Sequence, residues 1–468
     1  MRKRLISLLA GVALAASPVL AMPSQAASSI PAIIRDAEIE TTIRDYTTPI
    51  FTAAGLDASA VHVYLLESDQ INAFVAGGMN VFIYTGLLIA TQRPLQLIGV
   101  VAHETGHIAG GHLSRIQDGL RAATITGILA MVMGGIAAAA SQSGTAAAGG
   151  ILAGQDMAMR SILNYTRTME ASADAAAFKF LDRTHQSARG ILEFFGILQQ
   201  QEQMLFGQPN PYLINHPLTS DRIAAVQEHV DQSPYSNIPD RPDWVIRHKR
   251  MVAKLIGYIW PMQRVLQSYP ESDKSIYGRY ARAIAYYRVG LVQRSVPLID
   301  SLIAEQPQDP YFQELKGQML YENGRGAEAM AYYQKAMLLA PDEPLLSMEL
   351  AQVQIEQNDP SLIKPAIAEL RQTLQIEPDN GEAWHLFGMA YGRDGQTGMA
   401  ALALAEAAAA NDRPKLARDQ ANQAIGLLPV GSPAWLRAQD ILTTIKPDKG
   451  SSDNAAIPLQ QSVPGANP

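Results

Sequence analysis

The chain has no cysteine among its 468 residues, which excludes disulfide bridges, thiolate metal sites, a cysteine nucleophile and lipid attachment at cysteine. Any metal must then be held by histidine and carboxylate side chains, from a stock of nine histidines. Charge is sparse too. Asp, Glu, Lys and Arg make up 17% of the residues, and a net charge of -7 leaves no basic excess, which argues against a nucleic-acid partner.

What the chain has instead is apolar residues, 47% of the total, enough for two to four domains with sizeable cores. Met1-Arg2-Lys3-Arg4, the apolar run Leu5 to Ala16 and the small residues around Ala21 and Ala26 have the layout of a secretory signal peptide, placed at residues 1–27. The run is short for a membrane anchor. An exported, soluble chain is expected, periplasmic if the source has two membranes.

The chemistry centres on His103-Glu104-Thr105-Gly106-His107, an H-E-x-x-H pattern behind an apolar stretch containing Leu95, Leu97, Ile98, Val100, Val101 and Ala102. On a helix of about 3.6 residues per turn, two histidines four apart return to nearly the same face and can grip one ion. Glu104 then stands beside the ion, where it can take a proton from an attacking water. A surface helix with these residues by chance is the bland alternative. It is disfavoured because a buried helix cannot carry unpartnered polar groups cheaply.

Upstream, the periodicity of Ile39, Ile43, Tyr46 and Ile50 predicts a helix over 38–50 that Pro49 ends or kinks. Val61 to Leu66 and Asn80-Val81-Phe82-Ile83-Tyr84 read as strands, the second entered by a Gly77-Gly78 turn. A protease can hold an extended peptide by adding it to a sheet edge. Asn80, Val81, Phe82, Ile83 and Tyr84 are the candidate edge, with an internal strand the alternative.

No residue is charged between Arg121 and Asp156. Glycine and alanine dominate there, so apolar helices capping the cleft or touching a membrane surface are expected over 122–154, rather than a span. Residues 165–181 then predict a second helix with Glu170 and Asp174 on one face. Two-histidine zinc sites take a third, carboxylate ligand. Glu170 is the candidate, and Asp174 suits a role fixing the tautomer of a ligand histidine. Both could equally be solvated residues. His112, five after His107, is rotated off the ligand face and is expected to pack or to support a ligand.

Together, His103-Glu104-x-x-His107, Glu170-x-x-x-Asp174, Asn72-Ala73-Phe74, Gly77-Gly78 and His216-Pro217-Leu218-Thr219-Ser220-Asp221-Arg222 resemble the zinc metallopeptidase family of the CAAX prenyl proteases, in its exported bacterial branch with a C-terminal tetratricopeptide array. The resemblance spans roughly residues 30–440. It implies one Zn2+ per chain held by His103, His107 and Glu170, with Glu104 as catalytic base. It also implies that His216, on a loop over the site, can occupy the open metal position and hold the enzyme latent. Arg222 would either stabilise the oxyanion or pair with a carboxylate. Substrates would be unfolded or misassembled outer-membrane proteins.

Past Pro239-Asp240-Arg241-Pro242 the prolines at 270, 307, 341 and 378 recur every 37, 34 and 37 residues, a period of helix-pair repeats. Gly317, Ala329, Ala336 and Pro341 fit one tetratricopeptide unit, and Trp384-x-x-Phe387-Gly388-x-x-Tyr391 with Ala400 and Ala407 fits another. The middle unit needs three residues inserted near Asn358-Asp359-Pro360, and the pairing of the alanine-rich helices from Gln396 to Leu428 stays open. The expected fold is mainly α: a small α+β, gluzincin-like zinc metalloprotease domain over 28–240, a tetratricopeptide α-solenoid over 241–446, and a disordered tail over 447–468. The expected function is a periplasmic zinc endopeptidase for envelope-protein quality control, in which the array recruits substrates or the outer-membrane assembly machinery. The competing reading is a periplasmic chaperone or assembly scaffold with little proteolysis.

Overall fold

The computed structural model describes residues 32–76, 78–112, 167–204, 212–213, 216–357 and 359–445. The expected signal peptide, the uncharged 122–154 stretch and the 447–468 tail lie outside the described residues. Among those described, no helix is long and apolar enough to cross a membrane.

The first half builds a four-stranded sheet against helices. Strands β1 (Ile33–Ile34), β2 (His62–Leu66), β3 (Ala73–Ala76) and β4 (Asn80–Tyr84) lie in the order β1-β2-β4-β3. β2 and β4 run parallel, and β3 returns antiparallel on β4. Helix α1 (Ala37–Ala53) is capped by Asp36, whose carboxylate accepts from the Ile39 N–H at 2.9 Å. It continues past Pro49, because a proline there forfeits one backbone hydrogen bond but the buried Ile50 and Phe51 still pack. The short α2 (Thr85–Ala90) leads to α3 (Pro94–Ala109), whose proline at the first turn suits a helix start. The helix over 167–183, here α4, follows, then α5 (Arg189–Met204) and α6 (Ser220–Gln232). Leu65, Ala73, Val81 and Ile83 from the sheet meet Ile43, Tyr46, Leu97, Ile98 and Val101 in one core.

The sheet order corrects the candidate edge. Asn80, Val81, Phe82, Ile83 and Tyr84 sit between β2 and β3, and the edge beside them is Ala73–Ala76. The physical reason is the turn at Gly78, with φ +98°, which folds Asn72-Ala73-Phe74 back as a hairpin partner.

The second half is the expected stack of helix pairs. Helix α7 (Pro242–Ile259) and the short α8 (Met262–Ser268) precede α9 (Ile276–Arg288) and α10 (Val292–Glu305), α11 (Pro310–Glu322) and α12 (Gly326–Leu339), α13 (Pro344–Glu356) and α14 (Ile363–Ile376), α15 (Gly381–Arg393) and α16 (Thr397–Ala410), and α17 (Pro414–Leu427) and α18 (Pro433–Thr444). Pro307, Pro341 and Pro378 fall in the loops between pairs. The insertion near Asp359 forms a single 3-10 turn, Pro360–Leu362. The alanine-rich α16 packs between α15 and α17, with Ala405, Ala408, Ala417, Ala421 and Ala424 in one cluster, so the array runs on to a fifth pair.

The halves share buried surface. Trp244, Met251 and Leu255 of α7 lie in the first core, whereas Ala253 and Ile256 pack with Val265, Ala281 and Ala285 of the array. The fully buried Lys254 ammonium is 2.8 Å from Asp36 Oδ2, 3.5 Å from Glu38 Oε2 and 3.7 Å from Glu314 Oε2. Glu38 also takes Arg250 at 2.8 Å and accepts from the Tyr280 hydroxyl at 2.7 Å. Buried charge is tolerated only when paired in this way.

Candidate metal centre

Local sequence sets the site by bringing two helices into unusual proximity. A Cβ at Gly106 would lie 2.6 Å from the Ala173 carbonyl oxygen and 2.9 Å from its Cα, so only glycine lets α3 and α4 approach this closely. Gly190 does the same for α5, where a Cβ would meet the Leu95 carbonyl oxygen at 2.0 Å. The first contact presents Glu170 and Asp174, one turn apart on α4, to the histidines of α3.

Four donors converge. His103 Nε2 lies 3.1 Å from His107 Nε2 and 3.3 Å from His216 Nδ1, and Glu170 places Oε2 3.3 Å from His103 Nε2 and Oε1 3.3 Å from His107 Nε2 and 3.2 Å from His216 Nδ1. One donor atom from each of the four lies within 4.8 Å of every other. Glu104 reaches the cluster from beside it, with Oε1 3.4 Å from His216 Nε2.

This set fits a metal ion. Both Glu104 oxygens and His216 Nε2 are buried without a hydrogen bond, an arrangement that costs about 1–3 kcal/mol per orphaned group if nothing else engages it. The electrostatics ask for positive charge. Burial disfavours an imidazolium at His103, but hydrogen bonds to Asp174 and Glu170 outweigh it and push the pKa up to about 10. Burial also disfavours a charged Glu170, yet the three histidines beside it hold its pKa well below the carboxylate range. His107, dominated by burial, falls to about 3, and burial raises Glu104. The anions that keep a proton on His103 would favour a divalent cation in its place.

The surrounding contacts orient the donors. Asp174 Oδ1 accepts from His103 Nδ1 at 2.8 Å, which turns Nε2 toward the cluster. His112 stands with its Nδ1 3.0 Å from His107 Nδ1, so it supports a cluster histidine rather than joining the four. Arg222 meets Asp174 through Nε at 2.6 Å and Nη2 at 2.9 Å, and Glu170 through Nη1 at 2.9 Å. Its guanidinium is thus taken up by carboxylates, the second of its two expected roles.

Sequence reasoning missed Tyr212. Its ring lies 4.7 Å from the His216 ring and edge-on to Phe194 at 5.4 Å, and its carbonyl accepts from the His216 N–H at 2.7 Å. An aromatic four residues before His216 was the available signal. The mid-helix glycine inside the motif was a second, since a helix interior tolerates one at a cost of about 1 kcal/mol and usually for a reason of packing.

Residues 34–230 match the family model of peptidase family M48, and residues 280–344 match that of a tetratricopeptide repeat. The chain is 26% identical over 373 residues to a beta-barrel assembly-enhancing protease of Yersinia pestis, covering 78% of this chain and 74% of that one. To the beta-barrel assembly-enhancing protease of Escherichia coli (strain K12) it is 24% identical over 333 residues, 70% of this chain and 67% of the relative. Among solved structures, a thermophilic tetratricopeptide protein of Thermus thermophilus aligns at 18% identity and a TM-score of 0.24, over 43% of this chain and 93% of its own.

Proposed function

We propose, for a chain whose residues 34–230 match peptidase family M48 and which is a metalloprotease, that His103, His107 and Glu170 hold a single zinc ion and that Glu104 is the general base of an endopeptidase. Zinc is the choice because the donors are imidazole and carboxylate with no thiolate. When bound, the ion supplies a Lewis acid that polarises the scissile carbonyl and lowers the pKa of water from about 15.7 towards 7. Glu104, its carboxyl raised by burial and its oxygens free of hydrogen bonds, accepts the proton of the attacking water and returns it to the departing amine. Asp174 and His112 keep the two α3 histidines turned inward. Arg222 ties Glu170 and Asp174 together, so the third ligand does not wander.

His216 is the latch. Its ring bridges the ligand cluster at Nδ1 and the base at Nε2, the volume that a substrate carbonyl must enter. Cleavage then requires this loop to withdraw. The edge strand β3, which neighbours α3, receives the substrate as an added strand. The repeats, as modules of protein–protein interaction, recruit substrates or an outer-membrane assembly complex, as the names of the relatives suggest. The labour divides near residue 240, with chemistry before and recruitment after, and the working place is the periplasm.

The single observation that carries this reading is the convergence of Glu170 on both histidines of the motif with an orphaned Glu104 beside them. Metal analysis and casein digestion test it. Wild type should hold about one zinc per chain and digest casein, and Glu104→Gln should keep the zinc and lose digestion by several orders of magnitude. A metal-free wild type, or a Glu104→Gln chain that still cleaves, sinks the proposal.

A further inference from the structure

The face of the sheet turned away from the core carries a row of rings that the chemistry above leaves unused. Tyr64, Phe82 and Phe74 are direct cross-strand partners on β2, β4 and β3. Their rings stack at 5.2 Å and 5.0 Å, with planes 19° and 16° apart, and Tyr84 meets Phe74 edge-on at 6.1 Å. All four are half-buried, whereas Ala73, Val81 and Ile83, which alternate with them, are fully in the core.

Among the described residues, the row crosses the strands and stops at Phe74, on the edge strand. A strand added to β3 would sit about 4.8 Å further on, with successive side chains pointing to opposite faces. One set would face the α3 side, where His103 and His107 lie. The other set would fall on the outer face, and the position opposite Phe74 would extend the stack by one rung. Aromatic and β-branched residues at such positions are favoured over small or polar ones. We infer that the row Tyr64–Phe82–Phe74 is an incomplete ladder that selects the substrate, which is a polypeptide segment alternating polar residues with aromatic or β-branched ones. Alternation of this kind is what strands of a membrane barrel carry. The inference rests on the edge-strand reading above and adds the side chains that give it specificity, since backbone pairing alone ignores sequence.

The test uses the full chain and two labelled peptides of identical composition, one alternating aromatic and polar residues and one with the aromatics clustered. Affinities are read by fluorescence anisotropy on zinc-loaded Glu104→Gln chain, so binding is measured without turnover. The alternating peptide should bind roughly two- to fivefold more tightly. Phe74→Ser should reduce that ratio to one, and Phe74→Tyr should restore it. Equal affinities, no measurable binding of either peptide, or a preference that survives Phe74→Ser overturns the inference. If Phe74→Ser does not fold, Tyr64→Ser at the far end of the row should lower the ratio partway, and the Glu104→Gln ratio alone still decides. Zinc-dependent cleavage of the same peptides by wild type reports separately on the underlying proposal.

Discussion

Replacing Gly106 by alanine is the sharpest probe of how the site is held together. The new Cβ would sit 2.6 Å from the Ala173 carbonyl oxygen, whereas ordinary contact begins near 3.4 Å, so α3 and α4 must part by roughly 0.8 Å. The obstruction is backbone, which no rotamer change can relieve. Overpacking of this kind costs about 1–3 kcal/mol. Because Glu170 rides on α4, the same movement pulls its carboxylate from His103 and His107, now 3.3 Å away. Disturbing what orients a metal ligand costs about 10–100-fold in metal affinity. Gly106→Ala should therefore lower both the melting temperature and, by one to two orders of magnitude, the zinc affinity measured against a competing chelator. Gly196→Ala is the control. It lies exposed on α5 with nothing within 4 Å of its Cβ position, and alanine there should stabilise the chain by up to about 1 kcal/mol with zinc affinity unchanged. A Gly106→Ala chain with wild-type affinity and melting temperature would refute the idea that this crossing positions the third ligand.

His216→Ala should raise casein digestion several-fold, since it removes the ring between base and ligands; unchanged or lost digestion counts against the latch. Arg222→Ala removes the one guanidinium that pairs two buried carboxylates, a loss of about 3–5 kcal/mol, and should show as a large drop in denaturant midpoint that Arg222→Lys only partly recovers. A full recovery by lysine would mean that the forked contacts to Asp174 and Glu170 do not matter. Glu38 gives a pH signature. Burial raises its pKa, but Arg250 and Lys254 outweigh burial and hold it below the ordinary value. A depressed folded-state value stabilises the protein above the unfolded pKa of about 4.3, and that stabilisation is lost as pH falls through the folded value. Wild type should exceed Glu38→Gln in melting temperature at pH 7, with the gap shrinking below about pH 4.5. A gap constant down to pH 3 contradicts the pairing.

The His103–His107 motif, the Glu170/Asp174 pair and the repeats were legible because each is a helical periodicity, set by residues three, four or about 34 positions apart. The sheet was less so. Asn80–Tyr84 and Val61–Leu66 read as strands, but their order depends on a hairpin in which Ala73–Ala76 pairs outside β4, and pairing order leaves little trace in a single strand. Of the two outcomes expected at Pro49, ending the helix is the one that fails: its local preference to stop a helix is overridden by the burial of Ile50 and Phe51. The partners of Arg222 and the stacking of Tyr212 on His216 are tertiary contacts that no local spacing encodes.

Helix α7 has an evolutionary consequence. A lineage can add, drop or trade terminal repeats beyond α16, because those helices bury their alanines against α16 and each other. The first repeats are not interchangeable in that way. Exchanging them would strand Lys254 and Glu38 without Glu314, Tyr280 and the apolar neighbours that α7 shares with the array. New protein-binding specificities should therefore accumulate at the far tip of the solenoid, while its base descends together with the hydrolytic half as one heritable unit.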